Sequence, residues 1–258
     1  MTIDDFSMSF FSLKNKTAIV TGGNSGLGQA FSLALAKGGA DLFIPGLIDD
    51  NRETKTRIEN EGSRVAFMHA DITETNAAKA IIQACTDRFG GVDILVNNAG
   101  ICRLNEVLAF DRADWDPMIG VNLTAAFDLS REAAKVMIPQ RAGKIINICS
   151  LFSCLGGRMS PAYAASKHGL AGLTKAYCDE LARYNIQVNG ITPGYYATGI
   201  TEQTRENPAT NQQVLDHIPA NRWGDPLDLM GAVVFLAGRA SDYVNGHILT
   251  VDGGYLVR

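Results

Sequence analysis

The chain has 258 residues, 46% of them hydrophobic and 19% charged, enough for one large α/β domain with a real core. Its formal net charge of −4 offers no basic excess of the kind a nucleic-acid surface needs, so no nucleic-acid partner is expected. Five cysteines without a Cys-x-x-Cys pair argue against a disulfide framework, the four scattered histidines show no metal-ligand spacing, and no run approaches the ~20 apolar residues of a membrane span.

The N-terminus, Met-Thr-Ile-Asp-Asp-Phe, is acidic where a secretory signal would be basic. The expectation is a cytoplasmic protein in a reducing compartment, with no metal and no membrane partner.

Short apolar segments then alternate with helical spacing from end to end. Residues 17–20 read as a first strand that ends at Thr21-Gly22-Gly23. Leu27, Ala30, Phe31, Ala34 and Leu35 follow at helical spacing, and Gly38-Gly39 stops that helix. A strand at 42–44 precedes a polar helix around 51–60, and a strand at 65–68 runs into His69-Ala70-Asp71. A helix over 77–88 leads to a strand at 94–96, which ends at Asn97-Asn98-Ala99-Gly100. One long helical stretch spans about 112–137, followed by a strand at 145–149. The helix that contains Tyr163 runs to about 184, and the strand at 186–191 ends at Thr192-Pro193-Gly194. Residues 195–222 are polar and too long for an ordinary loop, so they read as a substrate lid. A helix at 227–237 and a strand at 248–251 close the chain.

Seven strands alternating with helices predict a doubly wound, Rossmann-type α/β fold, a seven-stranded parallel sheet covered by helices on both faces. Nothing resembles a linker or a repeat, so residues 1–258 read as a single domain.

In such a sheet ligands bind beyond the carboxyl ends of the strands. Gly22, Asp71, Asn97, Ser150 and Pro193 all stand at strand ends. The turn from Thr21 to Gly28 places Gly22, Asn24, Ser25, Gly26, Leu27 and Gly28 between strand and helix. There, backbone N–H groups can approach a pyrophosphate at the helix N-terminus. Asp71, next to Ile72, can accept from an adenine amino group, and Gly100 after Asn98 and Ala99 leaves room for a flat ligand. Tyr163 and Lys167 are four apart on one helical face, so the ammonium is expected to draw the phenol from about 10 toward neutrality, fit for general acid–base work.

Taken in order, the Thr21–Gly28 turn, Asp71, Asn97–Gly100, Asn122, Ser150, Tyr163 with Lys167, and Pro193-Gly194 with Thr198 resemble the short-chain dehydrogenase/reductase family over nearly the whole sequence. The resemblance implies that Tyr163 exchanges a proton with the substrate oxygen, while Lys167 tunes it and holds the nicotinamide ribose. It implies that Ser150 hydrogen-bonds the reacting oxygen and that Asn122 helps hold a water relaying protons to Lys167. The backbone after Pro193 and Gly194, with Thr198, would orient the nicotinamide.

The chain departs from the family pattern at cofactor selection. Gly46 stands where NAD users place an acidic residue, and Ser25 and Leu47 stand where NADP users place cations. Asp49 and Asp50 would repel a 2′-phosphate and Arg52 would attract one, so the expectation is NAD, with NADP second.

The segment 218–231 resembles the sugar-acid members of the family, those acting on 2-dehydro-3-deoxy-D-gluconate or gluconate. That resemblance implies a secondary alcohol or ketone of a six-carbon acid as substrate. Arg158, between Ser150 and Tyr163, ranks first as carboxylate partner, with Arg222, Arg103 and Tyr195 behind it. A 3-oxoacyl-carrier-protein reductase is the enzyme alternative and a nicotinamide-binding protein the non-catalytic one. The family is commonly tetrameric, which implies a homotetramer with contacts around 127–137 and 171–181.

Overall fold

The computed structural model describes residues 2–50 and 52–258. Asn51, at which the sequence starts its polar helix, lies outside the described residues; the helix itself is α2, Glu53–Asn60. The strands are β1 Thr17–Val20, β2 Asp41–Gly46, β3 Val65–His69, β4 Ile94–Asn97, β5 Gly143–Ile148, β6 Ile186–Pro193 and β7 Ile248–Val251. The larger helices are α1 Gly26–Lys37, α3 Ala77–Phe89, α4 Arg112–Ile119, α5 Ala125–Gln140 and α6 Pro161–Leu181. The short α7 Glu202–Glu206 and α8 Pro208–His217 precede α9 Leu227–Ala237.

All seven strands pair in parallel in the order β3-β2-β1-β4-β5-β6-β7. Ala18 of β1 is in register with Leu42 on one side and Ile94 on the other. Strands β1, β4, β5 and β6 are buried along their full length, as expected for the centre of a parallel sheet covered on both faces, and the polar side chains they carry (Asn97, Lys144, Asn147, Gln187, Asn189) are buried with them. Alternation sends successive side chains to opposite faces. Ala18 and Val20 pack with Phe31 and Leu35 of α1, Ile58 of α2 and Val233 and Leu236 of α9. Ile19 packs on the other side with Ile81 of α3, Leu129 and Met137 of α5 and Leu181 of α6. The strand order reverses between β1 and β4, and the main cleft opens above that point.

The structure departs from the expected elements in three places. The stretch expected as one helix is interrupted by a π-turn, Gly120–Thr124, whose third residue is Asn122. The helix expected to reach 184 ends at Leu181 and finishes in a 3₁₀ turn, Ala182–Tyr184. The lid is not plain loop: a 3₁₀ turn, Gly199–Thr201, leads into α7 and α8. The side chain of Asn207 caps α8 by accepting from the N–H groups of Ala209 and Thr210, and Pro208 takes the first helical position.

Candidate active site

The cleft above the sheet has a volume of about 660 Å³, within the range of small-molecule and cofactor sites. Its wall at one end is the glycine turn. Gly22 and Gly26 have φ of 61° and 50°, and a side chain on Gly28 would collide with the Gly22 carbonyl and the Asn98 amide. Asn98 fixes the facing loop: its Nδ2 donates to the Thr21 carbonyl at 2.8 Å, while its N–H and that of Ala99 donate to Thr21 Oγ1 at 3.0 and 2.9 Å. The turn opens onto the N-terminus of α1, where the Ser25 side chain makes no capping bond. This cradle, with glycine at 22, 26 and 28 where the backbone must approach a ligand at a helix N-terminus, fits a dinucleotide pyrophosphate.

Every residue expected in the cradle lines this cleft: Gly22, Asn24, Ser25, Gly26, Leu27, Gly28, Asp71, Ile72, Asn98, Ala99, Gly100, Pro193, Gly194 and Thr198. Asp71 also makes a local turn. Its Oδ1 accepts from the N–H and the hydroxyl of Thr73 at 2.9 and 2.7 Å, which holds its carboxyl below the usual range.

The reactive end is built by β5 and α6. Ser150 follows β5 and opens a 3₁₀ turn, Leu151–Ser153, accepting from Phe152 N–H at 3.2 Å. Tyr163 lies in the first turn of α6, half-buried, its ring edge-on to Phe152 with centroids 5.9 Å apart. Lys167, one turn later, is buried. Its Nζ lies 5.6 Å from the Tyr163 ring centroid and donates to the Ile148 carbonyl at 2.7 Å. Ser153 joins the two elements: its hydroxyl donates to the Lys167 carbonyl at 2.8 Å and accepts from Ser150 N–H at 3.3 Å.

Asn122, displaced by the π-turn, does not line the cleft. Its Oδ1 accepts from Ile101 N–H and its Nδ2 donates to the Ile101 carbonyl, both at 2.9 Å, with Ser166 Oγ at 3.2 Å. A side chain at Gly100 would stand 3.3 Å from Asn122 Oδ1 and 3.7 Å from Lys167 Nζ, so all three converge on one point.

The electrostatics correct one expectation. Tyr163 is not drawn toward neutrality by Lys167 in this state: burial pushes the phenol up to about 12, with only Ser150 acting against it. Burial also brings Lys167 down to about 8, so the group expected to act as a fixed cation is itself weakened.

A family model described as short chain dehydrogenase matches residues 16–209. The chain belongs to the short-chain dehydrogenase family. It is therefore an oxidoreductase of CH–OH groups that uses NAD(P). It is 73% identical to the uncharacterized oxidoreductase YgcW of Escherichia coli (strain K12), over 100% of this chain and 98% of that one. It is 44% identical to 2-dehydro-3-deoxy-D-gluconate 5-dehydrogenase of the same organism, over 97% and 99% of the two chains. A gluconate 5-dehydrogenase from Burkholderia cenocepacia, solved in complex with NADP and tartrate, superposes with a TM-score of 0.91 at 38% identity, covering 97% of this chain and 98% of that chain.

In this short-chain dehydrogenase the expected substrate arginines do not gather at the reactive end. Arg158 is exposed and does not line the cleft. Arg222 forks onto Asp228 at 2.7 and 3.0 Å. Arg103 donates to the Ala113 carbonyl at 2.7 Å, with Asp114 at 3.6 Å. Tyr195 belongs to an aromatic cluster, its ring centroid 5.6 Å from Trp223 and 5.2 Å from Tyr255, with the His217 ring tilted against Tyr255 at 4.2 Å. Tyr195 and Arg222 border a second cavity of about 230 Å³ under the lid.

Sequence reasoning did not single out the cleft residues Ile101, Val121, Ile148, Gly199 and Thr201. Each lies within three positions of a residue that it did single out, and that adjacency was the available signal.

Proposed function

We propose that this short-chain dehydrogenase transfers hydride between a nicotinamide cofactor and a secondary alcohol or ketone of a sugar acid of the gluconate or 2-dehydro-3-deoxygluconate type. The observation behind the reading is the meeting of a pyrophosphate cradle with Ser150, Tyr163 and Lys167 in one cleft, in a chain whose relatives bear sugar-acid names. Bound nicotinamide supplies or takes up the hydride. In the reducing direction the Tyr163 hydroxyl, neutral at rest, gives its proton to the ketone oxygen. Ser150 donates a second hydrogen bond to the same oxygen as charge develops there. In the oxidising direction Tyr163 Oη receives the proton, and Lys167, when charged, favours the phenolate.

For the cofactor, the wall beyond β2 is Gly46, Leu47 and Ile48, which brings neither a carboxylate against a 2′-phosphate nor a cation for it. Asp50, which the sequence sets against a phosphate, is engaged in capping α2 through Thr54 and Lys55. We read discrimination as shallow, with NADP, the cofactor of the Burkholderia relative, accepted beside the NAD expected from sequence. Turnover per KM compared at matched concentration should differ by less than about tenfold.

Residues 1–258 act as one domain on this reading, with 195–222 as the lid, and copies assemble as a tetramer through α5 and α6, which light scattering would test. Among the described residues no helix is long and apolar enough to cross a membrane, and the free cysteines suit a reducing cytoplasm. The deciding experiment is a panel of aldonates, uronates and keto-deoxy acids followed by NAD(P)H absorbance. Activity confined to acyl thioesters would overturn the proposal.

A further inference from the structure

We propose that Arg205, on the lid helix α7, receives an oxyanion of the bound complex, with the substrate carboxylate the favoured source; the favoured source rests on the sugar-acid reading above. The argument starts from a shortage of cations. Among the described residues that line the cleft, Lys167 is the one with a positive charge, and it is engaged with the Ile148 carbonyl beside Tyr163. A carboxylate needs a partner, preferably the planar fork of an arginine. The arginines that the sequence nominates are bonded elsewhere or stand away from the cleft: Arg222 on Asp228, Arg103 on Ala113 and Asp114, Arg158 on the outer surface.

Arg205 is different. Its Nη2 donates to the Thr198 carbonyl at 3.1 Å, no carboxylate among the described residues pairs with it, and its Nε is shielded from solvent with no hydrogen-bond partner. An N–H of a charged group withdrawn from water and left unpaired is unfavourable and calls for an explanation. The local geometry supplies one. Thr198, Gly199 and Thr201 line the cleft, and Arg205, which does not itself line it, is tied to that lining through the Thr198 carbonyl. That carbonyl already accepts from Thr201 N–H at 3.2 Å as well as from Arg205 Nη2, while the Thr201 hydroxyl is directed to the Tyr196 carbonyl at 2.6 Å, so the Nε edge of the fork is left without an acceptor. An oxyanion reaching the Nε edge as the lid settles would satisfy the orphan donor and neutralise the charge together.

A carboxylate of the substrate and the pyrophosphate of the cofactor present the same chemistry, and two measurements separate them. The first is the dissociation constant of NADPH and NADH, read by fluorescence without substrate, for the wild type, Arg205→Met and Arg205→Lys. The second is KM and kcat for a sugar acid and for its uncharged polyol counterpart. If the carboxylate is the partner, Arg205→Met raises KM for the acid about ten- to a hundredfold. In that case KM for the polyol and the cofactor constant stay within about twofold, and Arg205→Lys recovers part of the loss. If the pyrophosphate is the partner, the cofactor constant itself rises about ten- to a hundredfold in Arg205→Met. An unchanged cofactor constant together with an unchanged acid-to-polyol ratio overturns the proposal. Should Arg205→Met fail to fold, the same ratios are read from Arg205→Lys, which keeps the charge but lacks Nε. A wild type inactive on every sugar acid removes the substrate reading, and the cofactor measurement then decides for or against Arg205 alone.

Discussion

Replacing Lys167 with Met should make the cofactor-free protein more stable at neutral pH while abolishing its chemistry. Burial holds Lys167 at about 8, against 10.5 for an ordinary lysine. Each factor of ten in proton affinity is about 1.4 kcal/mol, so keeping this ammonium charged in the folded protein is unfavourable by about 3 kcal/mol. The group has a folded pKa below its unfolded one. Its penalty is complete below pH 8, where both states are charged, and shrinks as pH rises from 8 to 10.5, where the unfolded chain alone binds the proton. Methionine fills a similar volume without the charge but forfeits the hydrogen bond to the Ile148 carbonyl, about 1 kcal/mol. The net gain at pH 7 is about 2 kcal/mol, or roughly 4–8 °C in Tm for a domain of this size. The assay is thermal unfolding by circular dichroism, wild type against Lys167→Met, from pH 6 to 10. The wild-type curve should climb toward that of the variant above pH 8. Other buried groups such as Lys144 titrate in both proteins and cancel in the difference. A variant less stable than wild type at pH 7, or two parallel curves, would refute the reasoning.

Three further outcomes are expected. Tyr163→Phe should lower kcat by about 10²–10⁴ with the NADPH dissociation constant unchanged, since only the proton-transferring oxygen is lost; retained turnover would remove Tyr163 from its role. Gly28→Ala should weaken cofactor binding at least tenfold, because the new methyl collides with the Gly22 carbonyl and the Asn98 amide; a binding isotherm equal to wild type would contradict the cradle. Ser153→Ala orphans the buried N–H of Ser150, so unfolding should need about 1–3 kcal/mol less, and the pH profile of kcat should shift as Ser150 and Lys167 lose their common anchor. A lowered Tm with an unmoved pH profile would reduce Ser153 to a stability role.

The sheet was legible because its strands are short, rich in apolar residues and mostly closed by Gly, Asn or Pro at or just beyond their carboxyl ends, where Gly22, Gly46, Asn98 and Pro193 also line the cleft. Ser150, Tyr163 and Lys167 were legible because a strand end and one helical face bring them together with little help from the rest of the chain. The helices of the lid carry little apolar periodicity, and their one local signal is Asn207-Pro208, whose cap and first-turn proline open α8. The pKa of Tyr163 was misjudged for a deeper reason. Spacing of four on a helix reports which charge is near, whereas desolvation depends on Phe152 and the whole cleft wall, which sequence spacing does not measure. The surroundings of the substrate arginines were hidden in the same way: Arg222 and its partner Asp228 are six positions apart, and only the turn between them brings the fork onto that carboxylate.

The π-turn at Gly120–Thr124 reaches beyond Asn122. One surplus residue in a helical ring rotates everything after it by roughly 100°. Helix α4 therefore leans on α6, while α5, continuing the same rod, turns its apolar stripe toward α3 and the sheet. A single-residue deletion between 119 and 125 would restore a regular spiral, and in doing so misalign one half of the rod or the other. Point substitutions on that rod should be tolerated far better than any change in its residue count.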